Sequence, residues 1–349
     1  MTVAYVGCRT TRERNARGKG IRVYRIQEDG TWREIQTLKT LDNPSYLAFD
    51  NKNEYLYSVH GDLDHVTSYR IDPGTGILTL LNQIRLEGGK NPVFITSDRT
   101  NRYMIVATLQ GGALYVVRRK EDGTLGDTVC VHRFPGTGGE GACHAHQCIW
   151  DRKKEFLFVP QQGRGTGYPG LTVLRFCPET ETLEETDYFR AREGTEPRHA
   201  AVHPDNRFVY LVNEKDNTVT SFAFDDRSGK LRALQTVSAL PEHYRGQGQA
   251  SGILVDKHGK WVVESTRIFE AMTVFKIDSR TGTLKAADYV SCQGRTPRFI
   301  TFGPDGNTFY AANEDSDTII EYRFDSVEGT LTPSGRKIRT ESPVCLVFR

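Results

Sequence analysis

The chain has no stretch of 18 apolar residues and no N-terminal apolar h-region. A bilayer core demands about 20 apolar residues per helix, so neither a membrane span nor secretion is expected. It also lacks a basic run or stripe: Lys plus Arg number 46 against 44 Asp plus Glu, a formal net charge of +2. Phosphate-backbone binding needs clustered positive charge, and no nucleic-acid partner is expected. Cysteine is present seven times, an odd number at no framework spacing, which reads as reduced thiols in a cytoplasm. The glycine strings GTGGEG and GRGTG have neither the phosphate-loop Lys nor a strand-to-helix context. There is no GxSxG elbow and no nucleophilic Cys-His arrangement, which leaves water as the nucleophile of any hydrolysis. No cofactor is expected.

What the chain does have is one pattern repeated seven times. An alternating, aromatic-rich strand is followed by a turn and a Leu or Trp: IRVYRIQEDGTW, VTSYRIDPGTGIL, ALYVVRRKEDGTL, LTVLRFCPETETL, VTSFAFDDRSGKL, MTVFKIDSRTGTL and IIEYRFDSVEGTL. Successive copies start about 50 residues apart, a period of propeller blades. Two further strands lie upstream of six of them. Ser45, Val93, His146, Arg198, Ser251 and Arg298 are equivalent positions, separated by 48, 53, 52, 53 and 47 residues. Alternating buried-type pairs follow each, such as Tyr55 and Tyr57 or Phe208 and Tyr210, with Thr308 the weak member.

The seventh unit is divided between the chain ends. SPVCLVFR supplies a first strand with Val344 in the register position, and VAYVGC, IRVYRI and WREIQTL supply the other three. Pairing the ends in one sheet removes two exposed strand edges. The expectation is an all-β, seven-bladed β-propeller of four-stranded antiparallel blades, forming a single domain over residues 1–349 despite a length that would allow two. The longest irregular stretches, 9–19, 137–142, 161–170 and 241–249, are insertions of the kind that carry binding residues.

In a propeller the first strand of each blade lines the channel, so the equivalent residues form a ring at one mouth. That ring reads Ser45, Val93, His146, Arg198, Ser251, Arg298, Val344. Sixteen residues on, at the end of each second strand, a neighbouring layer reads Gly61, Leu109, Gln162, Glu214, Arg267, Glu314. Antiparallel pairing returns this layer beside the first. His146, Arg198, Glu214, Arg267, Arg298 and Glu314 are thus expected to converge from four adjacent blades.

The segments CHAHQCIWDRKKEFLFVPQQG, EPRHAAVHPDNRFVYLVNEKDNTVTSFAFD and TPRFITFGPDGNTFYAANEDSDTIIEYRFD resemble the seven-bladed lactonase family that contains bacterial 6-phosphogluconolactonase and the fungal carboxy-cis,cis-muconate lactonising enzyme. The likeness covers nearly the whole chain, and PRH followed by VNE is its most specific part. By motif, the resemblance implies a functional group of His146, Arg198, Glu214 and Arg267. The blade-two segment NPVFITSD departs from the Cys-His pair common among phosphogluconolactonase-like members, and VVESTR keeps the Arg of blade five with altered residues before it.

Opening a lactone needs a base for water, a positive or hydrogen-bonding group at the oxyanion, and an acid for the alkoxide. Glu214 or His146 is the base, while Arg198 and Arg267 offer charged forks for a carboxylate, phosphate or oxyanion. His144, Gln162, His199, Ser251, Arg298 and Glu314 are candidates for substrate binding. The same groups can run a lactonising cycloisomerisation, so the direction stays open. A different class, a non-catalytic propeller binding a protein or peptide, is the contrasting reading, but it has no need of such a polar mouth. The bland alternatives are a strand-tying ion pair for Arg198 with Glu214, a second for Arg298 with Glu314, and a satisfied wall histidine at 146. A metal on Cys143, His144, His146 and Cys148 is not expected, because alternation sends Cys143 to the opposite face and no carboxylate or third His sits at a ligand spacing. The expected partner is a small anionic lactone or unsaturated acid, handled without metal.

Overall fold

The computed structural model describes residues 2–349. Among these, seven antiparallel sheets follow one another around a ring, and in six of them the strand order outward from the channel follows the chain. Blade one runs Pro44–Phe49, Tyr55–His60, His65–Ile71, Leu78–Arg85, and blades two, four, five and six repeat that plan. Blade seven is closed as the sequence implied: the C-terminal strand Pro343–Phe348 is innermost and pairs with Thr2–Cys8, followed by Ile21–Ile26 and Trp32–Leu38. Reciprocal backbone hydrogen bonds between Val3 and Arg349, at 2.8 and 2.9 Å, complete this closure.

Alternation along each strand buries one face against the preceding blade and the other against the following one, so the core is a set of layers between blades. Phe156, Phe158, Leu171 and Val173 of blade three pack on Val202, Val209, Leu211 and Phe222 of blade four. Across the closure, Ala4, Val6 and Leu346 pack on Tyr310, Ala312 and Ile319.

A second regularity decides where the site lies. In five blades the innermost strand begins with Pro followed by one unpaired residue. Pro197 pairs with Asn213 and His199 with Val212, which leaves Arg198 as a β-bulge. The same shift isolates Ser45, Val93, Arg298 and Val344. A bulge frees a residue from the ladder and re-aims its side chain, so the whole ring of equivalent positions is turned out of the sheets. The two blades without that Pro solve the problem differently. In blade five a wider shift leaves Ser251 and Gly252 against Ser265 alone. In blade three the innermost strand is split into His144–Ala145 and Ile149–Trp150. Pro160 of the next strand accepts from the His146 N–H at 3.0 Å but has no N–H to return, which accounts for the gap at His146.

The insertion expected over 161–170 is shorter, because Gln161 and Gln162 extend the second strand of blade three. Leu346 is buried in the closing layer. Leu346→Asp should lower stability by about 3–5 kcal/mol, the scale of an unpaired buried charge. Val327→Asp, on an exposed turn, should stay within about 0.5 kcal/mol. Urea midpoints of the two variants check both values.

Candidate active site at one channel mouth

The bulged ring and the ends of the second strands meet at one mouth. Glu214, which follows the strand Phe208–Asn213, is the hub. Its Oε1 lies 3.1 Å from Arg267 Nη2 and accepts a 2.9 Å hydrogen bond from Gln249 Nε2. Its Oε2 lies 3.3 Å from Arg198 Nε and accepts a 2.9 Å bond from Gln162 Nε2. Burial alone would push this carboxyl up; Arg267 and Arg198, with the Gln162 bond, outweigh it and hold it down at about 2. Burial also disfavours charge on both arginines. A guanidinium nevertheless keeps its proton in proteins, and the shared carboxylate is what compensates it.

The guanidinium groups are further fixed by backbone. Arg198 Nη1 donates to the Ser251 carbonyl, which the blade-five bulge presents. Arg267 donates to the Gln249 and Ala250 carbonyls, both at 3.2 Å. Arg298 lies 3.6 Å from Glu314, and the other oxygen of Glu314 lies 3.0 Å from Arg9 Nε.

His146 is 5% exposed and its Nδ1 has no hydrogen-bond partner. Burial first, then Arg198 and Arg298, keep its pKa well below the ordinary value, so the ring is neutral at pH 7. His199 stands edge-on to it with ring centroids 5.2 Å apart and is held neutral for the same reasons, burial foremost and then Arg198. His146, Arg198, His199, Arg298 and Arg9 line a cavity of about 30 Å³. Tyr46, His199, Arg298 and Phe299 of its wall also line a larger cavity, about 760 Å³, that runs along the innermost strands and is walled largely by apolar side chains.

The sequence-derived candidates therefore divide. His146, Arg198, His199 and Arg298 border the small cavity, and Glu314 contacts that border through Arg298 and Arg9. Glu214 and Arg267 stand behind Arg198, with side chains 12% and 8% exposed. Gln162 is spent on Glu214, and its Oε1 accepts from Arg164 at 2.8 Å. Ser251 is fully buried; its hydroxyl donates to the Arg298 carbonyl at 2.8 Å, so it orders the ring and does not border the cavity. His144 is half-buried and lies outside the cavity wall, paired through the backbone with Gln162. Among the described residues no three His, Cys, Asp or Glu side chains gather as a metal site, and the Cys143 thiol is turned to the Pro135 carbonyl. The two ion pairs offered as bland readings, Arg198 with Glu214 and Arg298 with Glu314, are both present.

Two residues escaped the sequence reading. Gln249 sits at the end of the 241–249 insertion, where no repeat marks it. Arg9 directly follows Cys8, the partner of Pro343. It thereby fills in blade seven the position held by Glu214 and Glu314, which follow the partners of Pro197 and Pro297. The register would have found it had it been carried across the chain ends.

A family model described as Lactonase, 7-bladed beta-propeller matches residues 3–348. Among curated proteins, the chain is 28% identical to a 6-phosphogluconolactonase of Bacillus subtilis over 313 residues, 88% of each chain. It is 27% identical to one of Klebsiella pneumoniae over 94% of this chain and 95% of that protein. The periplasmic gluconolactonase of Pseudomonas aeruginosa superposes with a TM-score of 0.88 at 26% identity, over 99% of this chain and 98% of its own.

Acid should weaken the site in a defined window. A Glu held at about 2, against an ordinary value of 4.5, contributes stability that is complete above pH 4.5 and lost as pH falls toward 2. The loss is about 3 kcal/mol. Thermal unfolding measured from pH 5 to pH 2 should show this slope, and Glu214→Gln should flatten it.

Proposed function

The chain belongs to the lactonase family of seven-bladed β-propellers, and on that footing we propose that it hydrolyses a small anionic lactone of the sugar-acid type, with 6-phosphogluconolactone as the leading candidate. The observation that carries the mechanism is the neutral ring of His146, which lines a cavity beside Arg198. A polar space of about 30 Å³ suits a water molecule and not a sugar ring, so the lactone lies above it at the mouth.

His146 is the general base in this scheme. Glu214 is not free for that role, since each of its oxygens already faces a guanidinium and an amide donor. The His146 ring takes a proton from water as the water oxygen bonds to the lactone carbonyl carbon. Arg198 faces the oxyanion that develops. The ring C–O bond then breaks, and the imidazolium, made acidic by burial and by Arg198, returns its proton to the departing alkoxide. Glu214 keeps Arg198 and Arg267 in place and offsets their charge.

The cytoplasmic setting belongs to this proposal. The seven cysteines are free and no described helix is long and apolar enough to cross a membrane, while the Pseudomonas relative is named as periplasmic.

Proton release on a panel of phosphorylated, carboxylated and neutral lactones tests the reading, and failure to open any of them would sink it. His146→Gln should cost about 100- to 10,000-fold in kcat. Arg198→Lys should also impair turnover, because a point charge does not reproduce the fork. Activity should survive exhaustive chelation; loss restored by one added metal would require another mechanism.

A further inference from the structure

The mouth holds the same device twice. In blades four and five, Glu214 bridges Arg198 and Arg267. In blades six and seven, Glu314 bridges Arg298 and Arg9, at 3.6 and 3.0 Å. The four guanidinium groups share two carboxylates, and His146 and His199 are neutral, so positive charge is in excess within this cluster. The first bridge is closed by glutamine amides and backbone carbonyls. The second is more open at Arg298, whose side-chain exposure is 22% against 10% for Arg9 and Glu314, and it brings two guanidinium groups, Arg298 and Arg9, to the cavity where the first brings Arg198 alone.

Arg9 is built into this position. Its N–H donates to the Ser342 carbonyl and its carbonyl accepts from Gly18 N–H, both at 3.0 Å. A Cβ on Gly18 would stand 2.4 Å from that carbonyl oxygen, so the 9–19 insertion folds back on Arg9 only because residue 18 has no side chain. The second half of the device thus exists only once the two chain ends share a blade.

We propose that the two bridges divide the work on one substrate: the Arg198 bridge serves the reacting carbonyl, and Arg9 with Arg298 forms a separate subsite for a remote anionic group on the lactone, phosphate or carboxylate. This rests on the lactonase reading of the same mouth. Arg9 is a specificity-determining residue in this scheme. Paired guanidinium forks suit a multi-oxygen anion, and Glu314 holds them at a fixed spacing.

The test pairs lactones that differ in the remote group. On 6-phosphogluconolactone, and on muconolactone as the carboxylated arm, Arg9→Gln should raise KM about tenfold to a hundredfold with kcat little changed, the scale of one charge-assisted hydrogen bond. On uncharged δ-gluconolactone and γ-butyrolactone it should leave KM unchanged, and Arg9→Lys should recover part of the loss on the charged lactones. A response confined to the phosphate or the carboxylate arm identifies the remote group. Calorimetric titration with inorganic phosphate and with succinate gives a readout independent of turnover, and at least one should bind tenfold more weakly to Arg9→Gln. Equal KM changes for charged and neutral lactones, or undiminished binding of both anions, would overturn the subsite while leaving lactone hydrolysis standing. Anion binding that depends on Arg9 in a protein that opens no lactone would retain the subsite and reject the hydrolase.

Discussion

A single unpaired residue near the start of the innermost strand is the constraint on which the site depends. A regular ladder would send successive side chains into the layers between blades, where apolar packing leaves no place for charge. The bulge takes one residue out of that alternation in each of five blades, and a wider bulge and a strand break do so in the others. Arg198 and Arg298 reach the channel mouth for that reason. His146 does so because Pro160 has no N–H to hold the strand it faces.

Gathering four guanidinium groups at the end of a closed ring is electrostatically costly, and the structure offsets the cost by sharing carboxylates. Glu214 and Glu314 each serve two arginines from two blades. This ties adjacent blades together at the mouth, where the apolar layers end. It also leaves both Glu214 oxygens engaged and their basicity low. Charge repulsion from the arginines, added to burial, keeps His146 neutral at neutral pH.

The repeat period, the alternation of the strands, the division of blade seven between the chain ends and the convergence of His146, Arg198, Glu214, Arg267, Arg298 and Glu314 on one mouth were legible in the sequence. All of them follow from local rules, period two along a strand and a constant spacing between blades. Which of these residues border open space was not legible. Ser251 and Gln162 share the register of the cluster, yet both are consumed in holding it together. Register assigns a residue to a layer and says nothing of which neighbour claims its hydrogen bonds.

Gln249 and Arg9 mark the same boundary from the other side. Gln249 ends an irregular insertion, and only the fold brings it to Glu214. Arg9 meets Glu314 across more than 300 positions, through a blade that exists once the chain has closed. The sequence by itself determined the fold, the number of blades and the mouth at which charge collects, because periodic burial in strands admits one closed arrangement. Only the tertiary structure decided the pairing of charges, the neutral state of His146 and the position of the cavity. Those depend on distances and desolvation between residues of different blades, which no local pattern encodes.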